Sequence, residues 1–345
     1  MRAIKMLLTT LLGASLVACA SGPRLQAGDT PAARAPAREL AELKVVSGLG
    51  GGYNWPLWVG MSRGFFARNG VVLKLETAPT SSYMLGGLVN GTFAIAMASA
   101  DEVIAQREGQ GTVGLDGSDL VMVMGGDSGF LKLVSVPDIH TIPELRGKEL
   151  AVDTISTGNS MVLREMLERN GLEWNRDYTT APSGSVQERY QLLLSRKEAA
   201  TMLITPLEAI GRERGLNVLA DARSTLGSYQ GMVAAVRRTW ARENEQSLVG
   251  FIRGYRESLE WLYNPANHAA AVAVFRRNLE SDDALAETAY RLLLDPVNGF
   301  DPHARLNDEG TRTVLRLREK FARPAKKLQP LASYYDPHFY EAASH

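Results

Sequence analysis

The chain has 345 residues, 38 Lys+Arg against 38 Asp+Glu, and is 45% hydrophobic. That size and apolar fraction predict a globular protein of two domains rather than one, and a balanced charge with no basic patch argues against nucleic acid as a partner. The single cysteine, Cys19, excludes internal disulfides and cysteine-rich metal sites.

Met1-Arg2-Ala3-Ile4-Lys5 is a basic start, Met6 to Val17 an apolar stretch, and Leu16-Val17-Ala18-Cys19 a small-residue cleavage site. The apolar stretch is shorter than the ~20 residues that span a bilayer. The quartet resembles a lipobox, after which cleavage leaves Cys19 as a lipidated N-terminus. Residues 1–18 are therefore expected to be a lipoprotein signal peptide. The chain is expected in the periplasm or at the cell surface, held to a membrane through its lipid anchor only. An ordinary secretory signal with a chance cysteine exports the chain equally. Loss of Arg2 and Lys5 takes the 38 basic residues to 36, against 38 acidic ones. Residues 19–42, rich in Ala, Pro, Arg and Gly, lack apolar periodicity and are expected to form a flexible tether with a reach of ~25 Å.

From residue 43 short β-type runs alternate with helical ones. The first round predicts strands at 43–46, 71–76, 93–97 and 120–124, and helices at 56–68, 82–89 and 101–108, with Asn69-Gly70 stopping the first helix. A second round predicts strands at 131–136, 149–152, 178–181, 200–204 and 217–220. Its helices fall at 159–169, 186–196 and 206–214; in the first, Val162, Leu163, Met166 and Leu167 give an apolar stripe. After a strand at 230–236 come helices at 240–263, 266–278, 282–294 and 307–321. This order predicts an α/β protein with right-handed βαβ units, largely parallel sheets, a cleft at the strand C-termini and a helical C-terminal part.

Asn54-Trp55-Pro56-Leu57-Trp58-Val59, followed by Arg63-Gly64-Phe65-Phe66-Ala67-Arg68-Asn69-Gly70-Val71, resembles the opening of type II periplasmic substrate-binding proteins. The branch is that of nitrate, sulfonate, taurine and thiamine-pyrimidine importers. Leu88-Val89-Asn90-Gly91, Leu145-Arg146-Gly147-Lys148, Arg189-Tyr190-Gln191-Leu192-Leu193 with Thr205-Pro206, and Tyr335-Asp336-Pro337-His338-Phe339 extend the resemblance over 43–339. It implies a two-lobed, hinged fold with lobe 1 at 43–127 plus 228–345 and lobe 2 at 128–227. It also implies a monomer that takes a small-molecule ligand to an ABC permease in the inner membrane, with no chemistry and no cofactor. The sequence agrees: it contains no GxxxxGK[ST], GxSxG or HExxH motif.

Candidate ligand-binding residues lie at strand ends. Gly50-Gly51-Gly52 let backbone approach a ligand, and Tyr53 and Trp55 offer flat faces with polar tips, beside Asn54; the same aromatics could instead pack into the first lobe. Ser81, Ser82 and Tyr83, and then Ser99, Ala100 and Asp101, open helices whose free N–H groups suit an oxygen, although a serine there can simply cap. In the second lobe Thr154 to Ser160 is almost wholly hydroxyl and amide, with Thr157, Gly158 and Asn159 the strongest candidates. Ser185 and Thr205 fall at equivalent strand ends, while Asp127 and Tyr229 lie on the two crossings between lobes. His140, His268, His303, His338 and His345 show no ligand spacing, so no metal site is expected. Trp55→Ala and Thr157→Ala are expected to weaken binding without changing the stability of the empty protein.

Two further readings remain. The same fold houses a pyrimidine synthase with a cysteine-rich motif, from which a chain with only Cys19 departs. A lipoprotein sensor that uses the cleft without a permease is the other. Ala20, where an aspartate would favour inner-membrane retention, leaves the outer membrane open.

Overall fold

Strands and helices follow one another in the computed structural model much as the apolar periods require. It describes residues 39–48 and 52–345. The expected signal, Cys19 and most of the tether lie outside those residues, as do Gly50 and Gly51. Residues 39–345 form one compact unit.

Among the described residues ten strands make two five-stranded sheets. The first holds β1 (Ala41–Gly48), β2 (Val71–Ala78), β3 (Ile95–Ser99), β4 (Leu120–Gly125) and β10 (Met232–Arg237), in the order β2-β1-β3-β10-β4. The second holds β5 (Leu131–Ser135), β6 (Glu149–Val152), β7 (Thr179–Pro182), β8 (Ala200–Ile204) and β9 (Asn217–Asp221), in the order β7-β6-β8-β5-β9. In each sheet one strand is reversed. β10 runs antiparallel to β3 and β4, and β5 to β8 and β9. These are the strands that follow the two crossings, so each crossing delivers the chain into its new sheet head-first against its neighbours.

The helices used below are α1 (Trp55–Arg63), α2 (Ser81–Val89), α3 (Ala100–Arg107), α4 (Gly158–Arg169), α5 (Val186–Leu194), α6 (Leu207–Glu213), α7 (Glu245–Tyr263), α8 (His268–Leu279), α9 (Asp283–Leu293) and α10 (Asp308–Phe321). The helix expected over 56–68 is broken. Gly64 takes φ +73°, and its N–H bonds back to the carbonyls of Gly60 and Met61, a left-handed cap that only glycine adopts without cost. Gly60 and Gly254 let Phe66 pack where a β-carbon would collide with its ring. Strand β1 begins at Ala41, inside the span expected to be tether, because it pairs with β2 from its first residue, Ala41 opposite Val71.

The core is in two parts. One, built on Trp55, Phe66, Phe251, Tyr255 and Phe275, joins the first sheet to α1, α7, α8 and α9. The other runs from Val46, Leu88 and Ile104 of the first sheet's other side into Leu133, Leu163, Met166 and Leu203 around the second sheet, with Val314 and Phe321 of α10 between them. No helix among the described residues is long and apolar enough to cross a membrane.

Candidate functional site

The C-terminal ends of β3 and β6 lead into α3 and α4, and the two helices present their N-termini to each other. Ser99 caps α3: its hydroxyl accepts the Glu102 N–H at 3.2 Å, while Glu102 Oε2 accepts the Ser99 N–H at 3.2 Å. The other oxygen of Glu102 accepts a hydrogen bond from the Ser81 hydroxyl at the start of α2. Burial raises the Glu102 pKa, the charge of Asp153 across the cleft adds to that rise, and the Ser81 and Ser99 bonds oppose it.

Opposite lies the Thr154 to Ser160 segment. The Thr157 hydroxyl donates to Asp153 Oδ1 at 2.5 Å and lies 3.3 Å from Ser160 Oγ, and the buried Ser160 hydroxyl bonds to the Thr154 carbonyl. Although it occupies the cap position of α4, Thr157 makes no side-chain bond to the helix N–H groups. Gly158, the first residue of α4, comes against Asp101 on α3. A β-carbon there would lie 2.8 Å from Asp101 Cβ.

The group between the two helices is Arg318 of α10. Its Nε and Nη2 donate to the two oxygens of Asp101, each at 2.7 Å; Nη2 also donates to the Ser156 carbonyl at 3.0 Å and Nη1 to Gln110 Oε1 at 3.3 Å. Both side chains are buried, at 1% and 2% exposure. Burial alone would lower the Arg318 pKa, yet the Asp101 charge and its hydrogen bonds raise it on balance. Two residues on, Lys320 pairs with Glu165 at 2.7 Å and Glu168 at 2.8 Å on α4. One helix thus holds α3 of the first sheet and α4 of the second. The space left among Ser81, Glu102, Thr112, Ser156, Thr157 and Arg318 is about 20 Å³, enough for one water molecule and too small for an organic solute. The cleft is closed in this arrangement.

Of the residues expected to bind ligand, Tyr53, Ser99, Asp127, Thr157, Gly158 and Tyr229 gather around this point. Burial raises the Tyr53 hydroxyl pKa, with smaller contributions from Glu102 and Asp127. Tyr229 is raised by burial and lies within electrostatic reach of Asp101, Arg318, Glu102 and Asp127. Asp127 ties the crossings: it accepts the Gly129 N–H at 2.7 Å and the Met232 N–H at 3.4 Å. Burial pushes its pKa up to about 6 against those two bonds.

Others stand apart. Asn54 is buried and turned to the first strand, accepting from the Ser47 hydroxyl at 2.5 Å. Trp55 corrects the expectation of a flat ligand-facing surface: it is 0% exposed, donates its indole N–H to the Ala271 carbonyl at 3.2 Å, and packs edge-on to Phe275 and Tyr290. The core takes both its face and its polar tip. The Ser82 hydroxyl lies 2.9 Å from Oγ1 of Thr112, itself on the cavity wall, and exposed Tyr83 bonds Glu76. Asn159 is half-buried in the first turn of α4. Ser185 is held in a capping box with Glu188 on α5. Thr205 is buried and donates to Glu208 Oε1 of α6 at 2.7 Å.

Arg318 and Glu102 were missing from the sequence reading. The signal for Arg318 was present: Thr311, Val314, Arg318 and Phe321 share one buried stripe of α10, and a lone arginine on such a stripe needs a buried partner. Among the described residues no group of three His, Cys, Asp or Glu is placed to hold a metal ion.

The family model described as NMT1/THI5 like matches residues 53–269, well over half of the chain. The chain belongs to the NMT1/THI5-like family. The described fold of this family member is similar to solved structures throughout its length. The ligand-binding component of an ABC-type import system from Staphylococcus aureus, with zinc bound, matches at TM-score 0.71 and 11% identity, over 88% of this chain and 99% of that one. The alkanesulfonate-binding protein SsuA of Xanthomonas axonopodis pv. citri, bound to MOPS, matches at TM-score 0.69 and 16% identity, over 86% of this chain and 98% of that one. The desulfurization enzyme DSZB matches at TM-score 0.60 and 13% identity, over 88% and 99%. At those identities the likeness is one of fold, that of the periplasmic binding proteins. Among curated proteins none matches this chain.

Proposed function

We propose that this NMT1/THI5-like protein is an extracytoplasmic solute-binding lipoprotein that captures a small organic ligand between its lobes and delivers it to an ABC permease of the inner membrane. We take lobe 1 as 43–127 plus 228–345 and lobe 2 as 128–227, with Cys19 carrying the lipid and the protein acting as a monomer. The observation that carries the reading is the opposition of the α3 and α4 N-termini across a closed cleft lined by hydroxyls and carboxylates, with Tyr53 and Tyr229 within electrostatic reach of its carboxylates. The uncapped N–H groups at the start of α4, facing the hydroxyls and carboxylates at the start of α3, are suited to gripping one small molecule from both sides. The import-system and SsuA structures, whose names describe ligand binding, share this architecture.

Sulfonates, carboxylates and heterocycles are the ligand classes the family resemblance brings. The cleft's own charge favours the last. Arg318 is already matched to Asp101, whereas Glu102 lies within electrostatic reach of Asp153 with no cation paired to it among the described residues. A heterocycle bearing N–H donors would satisfy those oxygens; a sulfonate would be repelled by them.

A thermal-shift screen against sulfonates, carboxylates, pyrimidines and aromatic acids tests the reading. Ligand at 100 times its dissociation constant stabilises the fold by ~2.7 kcal/mol. A saturable shift by one class, lost in a Thr157→Ala variant, supports a receptor. A flat screen on folded protein moves the protein to the sensor or interaction-lipoprotein reading. Metabolic palmitate labelling lost in Cys19→Ser tests the anchor separately.

A further inference from the structure

At the opposite end of the first sheet from the cleft, where β1 begins, the chain leaves a groove of about 290 Å³ whose lining includes Glu42, Lys44, Gly91, Arg237 and Trp240. Its charge is unbalanced in a specific way. β1 and β2 are parallel, with Glu42 opposite Val72 and Lys44 directly opposite Lys74. All four side chains are exposed on the same face. Two ammonium groups directly opposite each other repel. The Glu42 carboxylate answers only one of them, Lys74, at 2.7 Å. Among the described residues Lys44 has no acidic partner.

Arg237, at the end of β10, adds a third cation. Its guanidinium lies flat on the backbone of Gly91: a β-carbon there would stand 3.0 Å from Nη2, 3.2 Å from Cζ and 3.3 Å from Nη1. Near-equal distances to all three atoms mean that the plane, not the edge, faces the glycine. Gly91 has φ +85°, which favours glycine there on backbone grounds as well. The guanidinium lines the groove and has no acidic partner among the described residues. Its Nε is buried without a hydrogen-bond partner, and an unmet buried donor of this kind is costly in a folded protein. An arginine on a groove wall with no carboxylate to match its charge is suited to a phosphate or carboxylate.

We propose that this groove docks the phosphate of an anionic membrane lipid, seated between Lys44 and Arg237. Three observations select a lipid over other anions. The chain joins the groove's own strand at Ala41, so residues 1–38, including the lipid attachment expected at Cys19, feed in at this end. The half-buried Trp240 lines the groove, and Leu40 and Val72 are exposed beside it at 40% and 42%. Tryptophan with flanking basic and apolar side chains is the composition that settles at the headgroup level of a bilayer. The proposal rests on the anchored-lipoprotein reading, since a tether of ~25 Å keeps the head within reach of the surface.

The test uses the full acylated protein in phosphatidylcholine vesicles with and without phosphatidylglycerol brominated on its acyl chains, following tryptophan fluorescence. The expected result is quenching by brominated phosphatidylglycerol and not by brominated phosphatidylcholine, with the signal assigned by Trp240→Phe. Each of Lys44→Gln and Arg237→Gln should weaken the effect about fivefold, equivalent to about 1 kcal/mol per cation at an anionic surface. The double variant should abolish it while melting like the parent. Quenching that is unchanged in the double variant, or equal for both lipids, overturns the proposal. A fluorescence response to inorganic phosphate with none to phosphatidylglycerol also overturns it, in favour of a soluble anion. Failure to associate with phosphatidylcholine vesicles at all sinks the anchor reading instead, and titration with soluble dihexanoyl phosphatidylglycerol then still reads the groove.

Discussion

Gly158 and Asp101 face each other with no room for a side chain at 158. A β-carbon there would meet Asp101 Cβ at 2.8 Å and Cγ at 2.9 Å. The two helices belong to different sheets, so this approach measures how far the cleft has shut. Gly158→Ala should push α4 off α3 and favour a more open form, at a cost of about 1–3 kcal/mol for overpacking in the closed one. Small-angle scattering would show a larger radius of gyration for the variant. An unchanged radius together with unchanged ligand affinity would show that the two helix starts do not set closure.

Arg318 and Asp101 form a buried pair, each holding the other's charge. Removing one partner should be far worse than removing both. Arg318→Met leaves the Asp101 carboxylate buried and unmatched and should cost about 3–5 kcal/mol. Arg318→Met with Asp101→Leu, two apolar groups of similar bulk, should recover most of that loss. Urea unfolding of the four proteins of this cycle supplies the check. Additive losses would mean that the pair is not coupled.

Asp127 gives the fold a pH dependence of definite sign. Burial lifts its folded pKa to about 6, above the 3.8 of a free aspartate, so the folded chain holds the proton more tightly than the unfolded one. The stability this group contributes is fully present below about pH 4 and is lost as pH rises through 6, a loss of about 3 kcal/mol at 1.36 kcal/mol per unit. Asp127→Asn should remove that decline, since an amide carbonyl can still accept the Gly129 N–H. Denaturation midpoints of the two proteins between pH 4 and 7 should therefore converge at the acid end and separate towards neutrality. Parallel curves would place the titrating group elsewhere.

Trp55→Ala and Thr157→Ala should behave oppositely. The indole is wholly inside the core that packs on the first sheet, so its removal should cost about 3–5 kcal/mol and lower the melting temperature of the empty protein. Thr157 bonds only within the Asp153 to Ser160 segment and caps no helix N–H. Its truncation should cost less than about 1 kcal/mol while weakening ligand binding. Calorimetric melting beside ligand titration separates the two effects.

The fold was legible where local pattern carries it. The apolar stripe of Val162, Leu163, Met166 and Leu167 marked α4 almost to its ends, and the alternation of strands and helices marked two α/β sheets. Strand direction was not legible, because period-two patterning is the same whichever way β5 or β10 runs. Nor was Trp55: an aromatic with a polar tip reads the same beside a ligand or in a core, and its partner Ala271 lies 216 residues away. The crossings and the hydroxyl loop before α4 were visible as small-residue segments at strand ends. Arg318 was recognisable as out of place on its helix, but its partner Asp101 is 217 residues distant and no local rule joins them.

β10 is an inner strand of the first sheet, between β3 and β4, yet it is the last strand of that sheet to appear in the chain. Until residue 237 has been made, β3 keeps an open edge and β4 is not joined to the sheet. Residues of the whole second sheet come first. Late, long-range insertion of this kind slows folding, and if the chain is exported as proposed, that delay is an asset: the sheet that receives the final strand stays unfinished while most of the chain is still in transit.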